Sequence, residues 1–410
     1  MFMRSLGGWR DWPIYGCAIA LRLVLFSISS VATTLGQRVE LVTPVTSFKR
    51  LTEGVHLYES NVPPYDGGLV HQSPLLLALF SFLNDLPSIT IPLLYSILDV
   101  VIAHALQKIC KAKQARDKGK PKLAVETGPS ISPSAVSALY LFNPFTILSC
   151  VSKSTILFTN LSIVMALLWA SLDNAVASMF WISMASYLSF YPVMLVAPLA
   201  LLLKSRATSV VSLFMGWSVL LLAVSRLIIG SWEFMRETYG VIILLSDLTP
   251  NIGMFWYFFI EIFDQFRSFF MVVFQLHSFI FVAPLCIKLR DSPVFVIIVL
   301  CGIMSVFKSY PSVGDAALYL GLVPLHDEVF KYCRYGFLVS NLFLYASVLA
   351  PIFWHLWIYA GSGNANFFYA ITLVYNLGQI LLLIDLVYSA LRRAFDVAHP
   401  EAIGKQVIRR

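Results

Sequence analysis

Apolar runs of near-bilayer length recur along almost the whole chain, from Pro13 to Leu391. A crossing helix needs about 20 apolar residues, and 410 residues leave room for a dozen. Charged residues make up 12% of the chain and hydrophobic residues 58%. A soluble domain carries about 25% charged residues. The mean hydropathy of +0.78 points the same way. These values exclude an ordinary soluble enzyme, a disordered chain and a secreted disulfide scaffold. The six cysteines form no C-x-x-C pair, so neither a disulfide framework nor a zinc site is expected.

Charge and Gly/Pro punctuation divides the apolar runs into twelve expected spans. They lie near 13–34, 90–109, 133–150, 155–172, 175–190, 192–203, 208–229, 268–289, 293–307, 312–325, 336–356 and 367–391. Segments 73–86 and 253–266 are too short or too aromatic to cross, and read as re-entrant or interfacial helices. The fold expected is therefore an all-α polytopic helical bundle, one membrane domain over residues 1–410. Its first non-cytoplasmic loop is 35–72, its flexible basic cytoplasmic loop 108–132 and its tail 394–410. With a cytoplasmic N-terminus, most of the 29 Lys and Arg fall on the cytoplasmic side, as the positive-inside rule requires. The net charge of +7 then reflects topology and gives no reason to expect nucleic acid.

In this topology the densest polar turns share the non-cytoplasmic face. They are loop 35–72, Ser149–Ser154 with Lys153, Ser246–Asn251, Lys308–Asp315 and Gly361–Asn366. Independent solvated turns have no reason to prefer one face, so a shared polar chamber at the membrane surface is expected. Each turn also has a plainer reading. Lys308 and Asp315 can pair across a tight hairpin beside Tyr310. Asp247 and Asn251 can form a turn and cap around Thr249-Pro250. Asn364 and Asn366 can cap the following helix. Lys153 can be a snorkelling end residue, and Arg22 and Arg226 can pair between helices. The run Phe255-Trp256-Tyr257-Phe258-Phe259 reads as an interfacial belt. The sequon at Asn160 lies inside an apolar run, so no glycan is expected there. There is no P-loop, G-x-G-x-x-G, G-x-S-x-G or H-E-x-x-H motif, so no cofactor is expected.

Four blocks carry a family resemblance. The first is Asn143-Pro144-Phe145-Thr146-Ile147-Leu148-Ser149-Cys150, running on to Lys153-Ser154. The second is Asp247-Leu248-Thr249-Pro250-Asn251-Ile252-Gly253 with the aromatic run after it. The third is Phe307-Lys308-Ser309-Tyr310-Pro311-Ser312-Val313-Gly314-Asp315. The last begins Trp354-His355-Leu356-Trp357 and runs through Asn364, Asn366, Phe367, Phe368 and Tyr369 to Asn376-Leu377-Gly378-Gln379. Together they resemble the PIG-U family, over about residues 10 to 395.

The resemblance implies a multispanning, non-catalytic subunit in the endoplasmic reticulum membrane, and the charge pattern with twelve crossings puts both termini in the cytoplasm. It implies a glycosylphosphatidylinositol (GPI) transamidase complex whose other members are a catalytic cysteine-protease-like subunit and PIG-T-like, PIG-S-like and GPAA-like subunits. It further implies that the chain binds the GPI lipid and presents it for attachment. The glycolipid-contacting asparagines would be Asn364 and Asn366. Phe367, Lys308, Tyr310, Asp315, Asn251 and Lys153 complete the expected glycolipid site. PIG-U proteins are in turn similar to GT-C mannosyltransferases, which implies a GT-C-like bundle. An active mannosyltransferase would need Glu40, Glu53 or Asp66 as base, but a lone Glu40 beside Arg38 reads first as a salt bridge. A transporter would need ionisable groups at mid-membrane, and Arg22, Asp99 and His104 are the few on offer.

Overall fold

The computed structural model describes residues 11–118, 130–203 and 206–403, and contains helices and no strand among them. The basic residues Arg4, Arg10, Lys120, Lys122, Lys204, Lys405, Arg409 and Arg410 lie outside the described residues, as do 119–129 of the expected cytoplasmic loop.

The chain opens with α1 (Trp12–Ser27) and α2 (Ser29–Leu35), bent 91° at Ile28. Helices α3 (Phe48–Glu59) and α4 (Pro74–Asn84) precede the long α5 (Thr90–Asp117). Next, α6 (Pro133–Leu141) and α7 (Pro144–Val151) meet at 51°. An antiparallel pair follows, α8 (Ile156–Ser171) and α9 (Ala175–Ser189), then a 3-10 turn over Tyr191–Leu195 and α10 (Val196–Leu203). After α11 (Ala207–Ile229) come two short helices, α12 (Glu233–Met235) and α13 (Val241–Leu244), joined by a π turn. The second half holds α14 (Phe255–Glu261), α15 (Asp264–Phe279), α16 (Val282–Lys288), α17 (Pro293–Phe307) and α18 (Val313–Leu322). A kinked 3-10 segment over Val323–Tyr332 leads into α19 (Gly336–Ile358) and α20 (Ala365–Ala398).

Helix starts follow a repeated local rule. Proline at the first turn opens α1, α4, α6, α7 and α17, where its missing N–H removes no helical bond. Side-chain caps precede two of these, α6 and α7. Asn143 Oδ1 accepts from Phe145 N at 2.9 Å, and Ser132 Oγ from Ala135 N at 3.2 Å. The Asn143-Pro144 pair also explains the bend between α6 and α7, because a residue before proline avoids helical geometry.

Helix α17 is the centre of the core, buried continuously from Val294 to Val306. Only Ser305 brings a polar side chain there, and it donates to Gln379 at 2.7 Å. Gly302 lets α20 approach: a Cβ at that position would lie 2.3 Å from Leu383 Cδ2. In contrast, α11, the joined α15–α16 and α19 expose most of their apolar surface, as expected of surfaces that face acyl chains.

Each of the twelve expected spans is occupied by helix. By length and composition, however, five helices can cross a bilayer, or seven if each bent pair counts as one span. The shortfall is physical: the 15 residues of α17 extend about 22 Å, short of a hydrocarbon core of about 30 Å. Three other expectations are adjusted. Loop 108–132 is helical up to Asp117, because Lys113 is held by Glu328 at 2.8 Å and α5 continues past the apolar run. Loop 35–72 contains α3, capped by Ser47. The α12–α13 segment matches no expected element, since its composition is neither a long apolar run nor a plain turn.

Candidate functional site

The polar turns interlock at one end of the bundle. Arg38 grips Glu40 through two bonds of 2.6 and 3.1 Å, and the Glu40 carbonyl accepts from Val313 N at 3.0 Å. The Thr46 carbonyl accepts from Thr155 N, and Gln72 donates to the Pro44 carbonyl. Asn160 donates to the Gly314 carbonyl at 2.8 Å. That sequon asparagine is buried.

Lys308 and Asp315 pair at 2.6 Å across the hairpin. Asp315 also accepts from Ser312 N, and with Ser312 forms a capping box that starts α18. Three donors, Lys308 Nζ and the Ser312 N–H and hydroxyl, therefore share one carboxylate, and Lys308 is nearly fully enclosed.

Segment 246–254 is threaded between this hairpin and α20. Asp247 accepts from Thr249 N at 2.9 Å and Asn251 from Gly253 N at 2.7 Å, two consecutive side-chain turns. Tyr310 donates to the Asp247 carbonyl at 2.7 Å. Asn376 donates to the Ile252 carbonyl and Tyr369 to the Met254 carbonyl. A Cβ on Gly253 would lie 2.7 Å from Pro311, so only glycine fits between the two turns. Arg50 binds the Asp247 carboxylate at 2.8 Å. His71 donates through Nδ1 to the Glu237 carbonyl at 2.8 Å, and its Nε2 lies 3.7 Å from Asp247. Burial pushes the Asp247 carboxyl up, but the nearby His71 imidazole, hydrogen bonds from Thr249 and the Arg50 charge outweigh it. The carboxyl is held well below the usual range.

The turn between α19 and α20 has a different character. Asn364 caps α20, accepting from Asn366 N at 3.1 Å. Asn366 accepts a hydrogen bond from Tyr257 Oη. Asn364, Asn366 and Phe367 are all exposed, and Gly361 supplies the positive φ of 65° that the turn needs. Beneath them lies an aromatic shelf. The Tyr257 ring stacks on Tyr369 at 4.5 Å, and Trp256 on Trp357 at 6.3 Å. The belt expected at 255–259 is thus a packed platform: Phe255, Trp256 and Phe259 are buried.

Lys153 sits at a tight turn with φ of 54°. Its ammonium lies 5.1 Å from the centre of the Phe48 ring, it forms no salt bridge among the described residues, and burial lowers its pKa.

Asn251, Tyr310, Lys308 and Asp315 are therefore brought together through segment 246–254, and Asn366 joins the network through Tyr257. Lys153 reaches it through the Thr46–Thr155 strap. The plainer readings of Lys308–Asp315, Asn251 and Asn364 are all realised as contacts. Sequence reasoning missed Arg50, His71, Tyr257, Tyr369 and Asn376 as members of this network. Tyr257, Tyr369 and Asn376 left a signal, as residues inside the resembling blocks. The groups needed for other chemistry are dispersed or engaged. Glu40 is paired, and Glu53 and Asp66 lie on exposed surface. Arg22 and Asp99 pair at 2.7 Å with both side chains fully buried, and Tyr15 Oη lies 3.5 Å from His104. No cluster of three or more His, Cys, Asp or Glu suited to a metal occurs among the described residues.

Comparison with known proteins closes the assignment. The family model for the GPI transamidase subunit PIG-U matches residues 16–375. The GPI-anchor transamidase component PIGU of Homo sapiens is 38% identical over 408 residues, covering 93% of this chain and 94% of the human one. The Cricetulus griseus protein of the same name is 39% identical with the same coverage. The GPI transamidase component GAB1 of Saccharomyces cerevisiae is 40% identical over 391 residues, covering 94% and 95%. A bundle whose resembling blocks interlock at one end, matched over nearly its full length, is a member of the PIG-U family.

Proposed function

We propose that this chain is a non-catalytic subunit of GPI transamidase that binds the GPI glycolipid and presents it for attachment to a protein C-terminus. The relatives named as GPI transamidase components support the complex. One structural observation supports the binding role. The charged residues of the polar end are mostly spent on one another, whereas Asn364, Asn366 and Phe367 stand exposed on an aromatic shelf. Amides donate and accept hydrogen bonds with sugar hydroxyls, and aromatic faces carry the apolar faces of sugar rings.

In this reading Asn364, Asn366 and Phe367 touch the glycan. Tyr310, Asn251 and the Lys308–Asp315 pair hold the rim that aims them. Lys153, with no carboxylate partner among the described residues, attracts a phosphate. The bundle is GT-C-like with twelve crossings, some completed by short or bent helices, and sits in the endoplasmic reticulum membrane. Its polar end faces the lumen and both termini face the cytoplasm. Partners are the cysteine-protease-like catalytic subunit and the PIG-T-like, PIG-S-like and GPAA-like subunits. Holding the lipid beside an acyl-enzyme supplies proximity, and the bond chemistry belongs to the partner.

The test is the double variant Asn364→Ala, Asn366→Ala in the assembled complex. Capture of a GPI lipid is expected to fall while subunit assembly stays intact. Collapse of assembly instead would make the pair structural caps and sink the binding role.

A further inference from the structure

An apolar cavity of about 140 Å³ lies one layer below the aromatic shelf. Six separate parts of the chain wall it: Leu41 with the end of α2, Phe145 of α7, Ile252 of the 246–254 segment, Val313 of α18, Ala350 of α19 and Ile371 of α20. It reaches the outer side of α19, where Ser347 and Pro351 line it and are exposed. Pro351 has no N–H, so the Ser347 carbonyl lacks its usual partner four residues on. Rings close the far wall, with Phe145, Phe343 and Tyr375 mutually packed at 5.5–6.3 Å. Tyr375 is buried, and its hydroxyl has no hydrogen-bond partner among the described residues. Arg38 and Glu40 also line it, and Arg38 is partly exposed. Arg38 spends Nε and one terminal nitrogen on Glu40, which leaves further guanidinium hydrogens to donate.

We infer that this cavity seats one alkyl chain of the GPI lipid, with Arg38 taking the lipid phosphate beside it. The inference rests on the glycolipid reading and deepens it. An apolar cavity of about 150 Å³ admits benzene and excludes water, so a stretch of about six carbons fits here and two chains side by side do not. The position agrees with the rest of the lipid. Ile371 and Tyr375 follow Asn366 on α20 by five and nine residues, about 8 and 14 Å along the helix. Sugars at Asn364 and Asn366 therefore place the phosphate near Arg38 and a chain within the wall. The second chain runs over the exposed apolar side of α19. The Tyr375 hydroxyl supplies a donor for the carbonyl oxygen of an ester.

The experiment uses the full chain in its assembled complex and two photo-reactive probes. One is a GPI precursor with a diazirine in an acyl chain, and the other a phosphatidylcholine with the same chain. Adducts are mapped by peptide mass spectrometry. The expected result is GPI-probe adducts on 346–351 and 371–375, lost by roughly tenfold in Ala350→Phe, the scale of losing contact with a few methylenes. Adducts at the wall from phosphatidylcholine alone overturn the inference. So do GPI-probe adducts confined to outer helix faces, an outcome that leaves the glycolipid role standing. Failure of the complex to capture the GPI probe at all overturns both. Mapping on the unaltered chain stands even where Ala350→Phe does not assemble.

Discussion

The two ends of the bundle use charge differently. At the end that carries Asp11, Lys113 and Asp385, polar side chains fasten one helix to another. Asp385 of α20 is buried and accepts from Arg334 N and Tyr335 N at 2.9–3.0 Å, fixing where α19 begins. Lys113 of α5 binds Glu328, which also pairs with His326 at 3.0 Å. Asp11 accepts from Gln107 and Ser134, joining α5 and α6 to the chain start. At the opposite end the charges are also paired, but they brace turns, and above the braced turns lie exposed amides on aromatic rings. The ends are well separated: Ala365 and Asp385 stand twenty residues apart on α20, about 30 Å, the thickness of a hydrocarbon core. One end is a fastening and the other a platform. Internal pairing thus braces the turns at 246–254 and 308–315, and the amides at 364 and 366 are left accessible.

The largest expected effect comes from breaking the fastening. Asp385→Ala leaves buried amides without an acceptor and is expected to remove about 3 kcal/mol of stability. It should lower the melting temperature of the purified complex by several degrees, with little direct effect on lipid capture per folded molecule. Loss of capture without loss of stability would break the contrast between the ends.

The Asn364→Ala, Asn366→Ala pair acts in the opposite sense. Glycolipid capture is expected to fall about tenfold, equivalent to 1.4 kcal/mol, while the melting temperature changes little. Capture is read as retained GPI lipid after purification.

Asp247→Asn tests whether the braced turns are support. It weakens the bond to Arg50, a partly exposed pair, at about 1 kcal/mol. The pH dependence has a definite sign. Because the folded pKa of Asp247 is lowered, its carboxylate stabilises fully above the ordinary value of 3.8 and the benefit is lost as pH falls through the folded value. Wild type and variant melting temperatures should differ at neutral pH and converge in strong acid. A difference that grows on acidification would contradict the assignment.

The smallest effect is expected from Lys153→Met. Capture of the anionic lipid should fall roughly threefold and lose part of its salt dependence, as for a single partly screened charge. Unchanged capture at low salt would remove Lys153 from the site and leave it a ring-packed turn residue.

Much of this contrast was legible in the residues themselves. Proline and asparagine at helix starts, as at Asn143-Pro144, announce boundaries because capping is a local interaction between neighbours in sequence. The Lys308–Asp315 and Arg38–Glu40 pairs were readable for the same reason, since hairpin or near-neighbour spacing brings them together. Arg50 with Asp247, or Tyr257 with Asn366, left no such trace. Their partners are 197 and 109 residues away, and only packing decides which turns meet. The length of each span was also hidden. Apolar content drives a segment out of water but does not fix where its helix stops or bends, as at Ile28.

The sequence alone therefore determined that this chain is helical and membrane-embedded, where the proline- and asparagine-capped helices begin, and which family it resembles, because hydropathy and capping act over a few residues. Tertiary structure decided which polar groups are spent on one another, which stand free on the aromatic shelf, and that a narrow apolar cavity lies below it. Those outcomes depend on distances between segments far apart in the chain, and only the packed bundle sets them.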